Sequence, residues 1–321
     1  MRQIHSIRLM FVLRGAVVAI LAVLIALPIA AGGVFIATLT APACGGAGDP
    51  NAYTLAYQAV TIPAPSINGE LHAYFIPAAG GETAAKGTII AVPTGAAGQA
   101  DRLHELRLFQ AAGYNIFAYP SRTCAAGLVN SLGYLEVEQV GDALAYLETR
   151  GDLDMTRIGI HGFSAGGSTA IMAAARYPQI AAVVAQGGYH DFWDEVNTNT
   201  SALWDGRVPV IGDLFRLGAK LGYRVITGVD VESLTPIESI RQIAPRPVLL
   251  IYGTDEPGIT GARAMVAASP EPSSIDLWEI PGAHHGDYVW VAGEQTYADR
   301  VNAFWDRALG NRANDSTAEG D

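Results

Sequence analysis

From Gly15 to Leu39 the chain runs through 25 residues dominated by Ala, Val, Leu and Ile, with no charge among them. A helix of that length spans about 37 Å, enough to cover a bilayer core of about 30 Å. Pro28 falls inside it, and membrane-spanning helices tolerate proline. Residues 41–54 then form a Gly/Ala/Pro linker. Beyond it the pattern becomes that of a globular chain. Tyr57–Ile62 and Leu71–Ile76 are β-prone runs flanking the turn dipeptide Asn68-Gly69, which predicts a hairpin. Short apolar runs then alternate with segments of helical period. Strands are predicted over Gly87–Val92, Asn115–Tyr119, Arg157–Ile160, Ile180–Ala185, Pro247–Tyr252 and Ile275–Ile280. Helices are predicted over Arg102–Ala112, Tyr134–Glu148, Ala165–Arg176, Gly261–Ala268 and Thr296–Leu309. An antiparallel start followed by repeated β-α units predicts an α/β fold: a mostly parallel eight-stranded sheet with helices on both faces.

His190–Ile240 breaks this rhythm. It is too long for a simple connection and carries Trp193, Trp204, Phe215 and Leu217 with helical spacing in parts, so residues 190–240 are expected to form a small helical cap. The polar, acidic tail 311–321 is expected to be disordered. One globular domain thus occupies residues 55–310 of the 321.

Charge assigns the apolar segment a direction. Arg2, Arg8 and Arg14 precede it in a basic segment, residues 1–14, and no Lys or Arg follows until Lys86. The positive-inside rule then places residues 1–14 in the cytoplasm, residues 15–40 across the membrane and the rest outside. A cleaved signal peptide is the alternative, with Ala41-Pro42-Ala43 as its cleavage site and lipoprotein processing at Cys44 as a variant of it. The apolar stretch is longer than the usual signal region. The whole chain carries 20 basic and 31 acidic residues, a net charge of −11. With no basic cluster past the N-terminus, a nucleic-acid partner is not expected. Two cysteines, Cys44 and Cys124, are too few for a disulfide framework or a structural zinc site.

The chemistry begins at Gly162-Phe163-Ser164-Ala165-Gly166, a G-x-S-x-G pentapeptide. A chain with 36 glycines produces such matches by chance often enough that context must carry the argument. Here a predicted strand ends directly before Ser164 and a predicted helix opens directly after it. That turn exposes the serine hydroxyl above the sheet and sets it at a helix N-terminus, where negative charge is favoured. The stretch Asp154–Gly167 resembles the nucleophile region of the α/β-hydrolase superfamily, and the resemblance extends over roughly residues 55–310. It implies the α/β-hydrolase fold, a Ser-acid-His triad in that chain order, and no metal or organic cofactor.

The superfamily places its base on the loop after the last strand. Gly282-Ala283-His284-His285-Gly286-Asp287 stands there, and the resemblance selects His285, with His284 as the neighbouring alternative. The acid follows the seventh strand, in Gly253-Thr254-Asp255-Glu256-Pro257. Counting from Gly253 favours Glu256, the commoner residue type favours Asp255, and Asp191 is a third candidate. The family's usual His-Gly after the third strand is replaced by Thr94-Gly95. The oxyanion hole needs only backbone N–H groups, here those of Ala96 and Ala165. His190 and Trp193 are candidate substrate contacts; His161 is expected to be packed. Cys124 lies on the active-site edge. Outside the cell it can pair with Cys44, the other reading being two unrelated small apolar residues.

These residues predict a serine hydrolase that cleaves an ester or thioester with an apolar part, through an acyl-enzyme. The Trp, Phe and Leu of residues 190–240 and the nearby membrane favour a small-molecule or lipid-like acyl substrate. A peptidase of the same fold is the alternative. So is a tethered binding protein that kept the fold without the chemistry. A halide-type hydrolase is disfavoured, because such enzymes carry Asp where Ser164 stands.

Overall fold

A computed structural model of the chain describes residues 2–204 and 208–310. They divide into two compact units, one drawn from the first 41 residues and Trp193–Ser233, the other from Pro42–Phe192 and the chain from Leu234 onward. The expected tail, 311–321, lies outside the described residues.

The first unit is helical. α1 spans Arg2–Leu39, longer at its start than the apolar stretch predicts. From Val12 to Leu39 it is long and apolar enough to cross a membrane, and very little of it is buried. α6 (Phe192–Trp204) ends in this unit and α7 (Pro209–Thr227) lies within it, so the helical expectation for the segment after His190 agrees with the structure. α7 opens on Pro209, whose missing N–H is harmless at a first helical position, and closes on Gly228 in the left-handed region.

The second unit holds a single eight-stranded sheet, β1 (Gln58–Ala64), β2 (Gly69–Ile76), β3 (Thr88–Val92), β4 (Asn115–Ala118), β5 (Ile158–Phe163), β6 (Ile180–Gln186), β7 (Val248–Gly253) and β8 (Ile275–Ile280). Its order is β1-β2-β4-β3-β5-β6-β7-β8. β1 pairs β2, and β2 pairs β4, antiparallel; every later pairing is parallel. The hairpin turns at Asn68, whose φ of 52° suits a residue that tolerates the left-handed region. The parallel strands β3, β5, β6 and β7 are buried along their whole lengths, which is why they read as continuous apolar runs rather than alternation. Helices α2 (Leu103–Ala111), α4 (Glu136–Thr149), α5 (Ala165–Arg176), α8 (Pro236–Ile243), α9 (Ile259–Ala268) and α11 (Glu294–Trp305) connect or follow these strands. Two short helices, α3 (Arg122–Ala126) and α10 (Tyr288–Ala292), were not predicted, because five residues are too few to show a period. The last predicted helix is broken: α11 ends at Trp305, and a π-helical turn covers Asp306–Gly310.

Candidate active site

The site forms where strand ends meet helix starts. β5 stops at Phe163, α5 starts at Ala165, and Ser164 between them has φ 56° and ψ −128°. A serine takes that backbone only where its surroundings impose it. Glycine permits the close approach of strand and helix here: a Cβ on Gly162 would lie 2.1 Å from the Gly166 carbonyl oxygen. The Ser164 N–H donates to the Gln186 carbonyl at the end of β6, 2.8 Å away. The N–H of Ala165 begins α5 and so has no carbonyl one turn earlier to bond within the helix.

The histidine and the acid come from the next strands. His285 Nε2 lies 3.1 Å from Ser164 Oγ, and its Nδ1 lies 2.9 Å from Glu256 Oε2. Glu256 is only 5% exposed. Its second oxygen, Oε1, accepts the Gly253 N–H at 2.6 Å and the Tyr288 hydroxyl at 2.7 Å. Burial pushes the Tyr288 phenol up, and the hydrogen bond and charge of Glu256 push it further, so it stays a donor. Asp255 is exposed: its N–H donates to the Ala283 carbonyl, and its carboxylate accepts the Thr254 hydroxyl. The His284 N–H donates to Asp287, and its ring is not the one brought to Ser164. Of the three candidate acids, Glu256 is the one joined to His285.

Phe163, the variable residue of the pentapeptide, carries a packing role. Its ring lies 4.7 Å from that of His285, and the Arg102 guanidinium sits 4.1 Å over it. Arg102 pairs in turn with the fully buried Glu105. Beneath the elbow, the Gln186 amide nitrogen lies 2.8 Å from Glu105 Oε2 and 2.6 Å from His161 Nε2. His161 is buried, as expected of a packed histidine. Burial opposes ionisation of Glu105, but contacts from His104 and His161 and the Arg102 charge outweigh it and hold the carboxyl well below its usual range. The sequence assigns no role to Phe163, Tyr288, Arg102 or Glu105. Only Phe163 carried a signal, as an aromatic next to the nucleophile.

The loop after β3 is clamped by the linker. Cys44 and Cys124 form a disulfide. Beside it the Gly45 N–H donates to Ala96 at 2.7 Å, the Gly48 N–H to Gln99 at 2.9 Å, and the Gly98 N–H to Gly46 at 3.3 Å. Thr94-Gly95 turns sharply, with Gly95 at φ 49° and the Ala97 N–H bonded to Thr94. His190 packs on α9, where a Cβ on Gly261 would meet its ring at 2.3 Å, and its carbonyl accepts the Ile237 N–H. Trp193 belongs to the helical unit. Among the described residues, no group of three or more His, Cys, Asp or Glu side chains is placed to hold a metal ion.

The sheet order, the strand-to-helix elbow at Ser164 and the loop histidine define a hydrolase of the α/β-hydrolase fold. Comparisons with solved structures agree. The chain resembles an esterase from Pyrococcus furiosus at 19% identity and a TM-score of 0.62, over 84% of this chain and 97% of that one. It resembles a puromycin-hydrolyzing peptidase from Mycobacterium tuberculosis at 21% identity and a TM-score of 0.61, over 81% of this chain but 40% of that one. An α/β hydrolase from Penicillium matches at 17% identity and a TM-score of 0.59, over 79% and 99%. No curated protein matches the sequence. Residues 126–311, more than half the chain, match the prolyl oligopeptidase family, and the chain belongs to that family.

Proposed function

We propose that this protein is a membrane-anchored serine hydrolase that cleaves a carboxylic ester or thioester through Ser164, His285 and Glu256. The observation that carries it is the unbroken line of hydrogen bonds from Ser164 Oγ through the His285 ring to Glu256, with both oxygens of that acid engaged. His285 Nε2 takes the hydroxyl proton as Ser164 Oγ attacks the acyl carbon, and Glu256 holds the ring and stabilises its charged form. The oxyanion rests on the N–H groups of Ala96 and Ala165, the second helped by the positive end of α5. His285 returns the proton to the leaving group, leaving an acyl-enzyme. It then activates the water that releases the acid.

The ester reading is supported by likeness to almost the whole of the Pyrococcus furiosus esterase, against two fifths of the Mycobacterium tuberculosis peptidase. Membership of the prolyl oligopeptidase family favours a second reading, hydrolysis of a peptide or aminoacyl amide by the same three residues. Anchoring by α1 is supported by its length and apolar surface. The arginines before it and the disulfide after it both favour a catalytic domain outside the cytoplasm.

The test is intact mass of the detergent-solubilised chain after fluorophosphonate treatment, beside Ser164→Ala. Labelling of the wild type alone is expected. Hydrolysis of p-nitrophenyl esters of rising chain length, beside aminoacyl p-nitroanilides, then separates the two readings. A folded wild-type chain that takes no label would mean the three residues do not act as a catalytic unit, and the inactive binding protein would become the better description.

A further inference from the structure

The helical unit carries an apolar surface that its own packing leaves open. Within this unit α7 runs beside the second half of α1, and small residues make the contact. A Cβ on Gly218 would lie 1.9 Å from the Ile29 carbonyl oxygen, and one on Gly32 would lie 2.0 Å from that of Phe215. The two backbones touch. Gly222 rests on Gly33, one turn beyond Gly218 on the same face. Small residues four apart let helices approach this closely in lipid, where packing rather than water exclusion drives association.

At 3.6 residues per turn the rest of α7 sorts into distinct stripes. Beside the α1 contact runs an exposed apolar stripe of Val210, Leu217, Leu221 and Val225, with Val210 68% and Val225 84% exposed. Away from α1 runs a charged stripe of Asp213, Arg216, Lys220 and Arg224. Each base there has an acid partner inside the unit: Arg216 with Asp213, Lys220 with Glu232 and Arg224 with Asp230. Along the same contact α1 leaves its own aliphatic side chains exposed, Leu24, Leu27 and Val34 among them. Where the helices meet lies a groove of about 280 Å³ lined by Leu24, Leu27, Pro28, Trp204, Ile211 and Phe215.

Exposed aliphatic side chains in this number on two packed helices are out of place in water. A bilayer that solvates α1 reaches the neighbouring stripe as well, while the charges opposite hold α7 out of the hydrocarbon core. We infer that α7 is a second membrane-binding element. It lies at the acyl–headgroup boundary against α1, with Val210, Leu217, Leu221 and Val225 among the lipid chains and an acyl chain in the groove. This rests on the reading of α1 as a membrane anchor. Because each of these α7 bases already has an acid partner, attachment of α7 is by apolar insertion and does not depend on anionic lipid.

The experiment reconstitutes the full chain in phosphatidylcholine vesicles with and without phosphatidylserine. An environment-sensitive fluorophore is placed on Leu221→Cys, Val225→Cys, Lys220→Cys or Val18→Cys; Cys44 and Cys124 are already paired. Nitroxide lipids and aqueous iodide serve as quenchers. The expected result is that labels at Leu221, Val225 and Val18 lose most of their fluorescence to nitroxide lipid, equally in both vesicle types. The label at Lys220 responds to iodide instead. A Leu221 label in water while the Val18 label is in lipid overturns the inference and leaves the anchor standing. A Val18 label in water overturns both. Quenching of the Leu221 label by a second labelled copy, without nitroxide lipid, assigns the stripe to self-association and also overturns the inference.

Discussion

Asp255 and Glu256 are neighbours in the chain with opposite surroundings. The backbone turns as β7 ends, so one carboxylate faces solvent and the other points inward to Gly253, Tyr288 and His285. Counting from Gly253 favours Glu256 and the commoner residue type favours Asp255, and a one-residue step at a strand end reverses the side chain's direction, so the sequence alone left both open. The two should therefore separate sharply on substitution. Glu256→Gln is expected to lower kcat by about three to four orders of magnitude, as loss of the orienting acid does in other triads. Asp255→Asn should leave kcat within about twofold, since exposed substitutions away from a site are close to neutral. Steady-state rates on one good ester decide it, and equal losses in the two variants would refute the assignment. Ser164 was legible for a different reason: a strand, a glycine-flanked serine and a helix in succession constrain the backbone by themselves. Tyr288 was not, since nothing local distinguishes a tyrosine that bonds a carboxylate from one that fills space.

At the level of elements, the linker does more than join α1 to the sheet. Residues 45–48 hydrogen-bond along the loop that carries Ala96, and the disulfide, spanning a sequence separation of 80, pins that pairing. The loop lacks the family's usual His-Gly, so the linker supplies holding contacts that lie outside the motif. Closing a loop of that size is worth roughly 4.5 kcal/mol in the chain-entropy account. The paired variant Cys44→Ser with Cys124→Ser is expected to unfold at lower denaturant. Under native conditions it should also react more slowly with fluorophosphonate while its KM stays near the wild-type value. Lower stability with an unchanged labelling rate would show that the bridge serves the fold and not the loop. The sequence permitted the pairing through compartment alone. Which backbone groups the linker meets depended on where β3 and the segment after β4 end in space.

Across the whole molecule, the buried group of Arg102, Glu105, His161 and Gln186 ties α2 to β5 and β6 under the elbow. Glu105 has its carboxyl held well below the ordinary range in the folded state, so it binds fewer protons there than in the unfolded chain. Its contribution to stability is thus fully present above an unfolded value of about 4.3 and is lost as pH falls through the folded value. Urea unfolding from pH 7 downward should show stability dropping in acid. Glu105→Gln should be less stable at pH 7, because it leaves the partly buried Arg102 guanidinium underpaired, and should show a shallower acid dependence. A variant with the wild-type slope would mean that other carboxylates carry the acid response.

Local pattern was enough to determine the alternating elements, the nucleophile turn and the long apolar helix, and the family resemblance pointed to the histidine loop. Strand and helix periods, glycine spacing and runs without charge are written within a few residues of one another. β8 and α5 agree at both ends with the segments their patterns predict. What the tertiary structure alone decided are the contacts between residues far apart in sequence: Glu256 rather than Asp255 beside His285, Phe163 between Arg102 and His285, and the Cys44–Cys124 bridge. The same holds for the pairing of α7 with α1 through Gly32 and Gly218. The physical reason is common to all four: side-chain direction and close packing are set by how distant segments meet, and no local period records that.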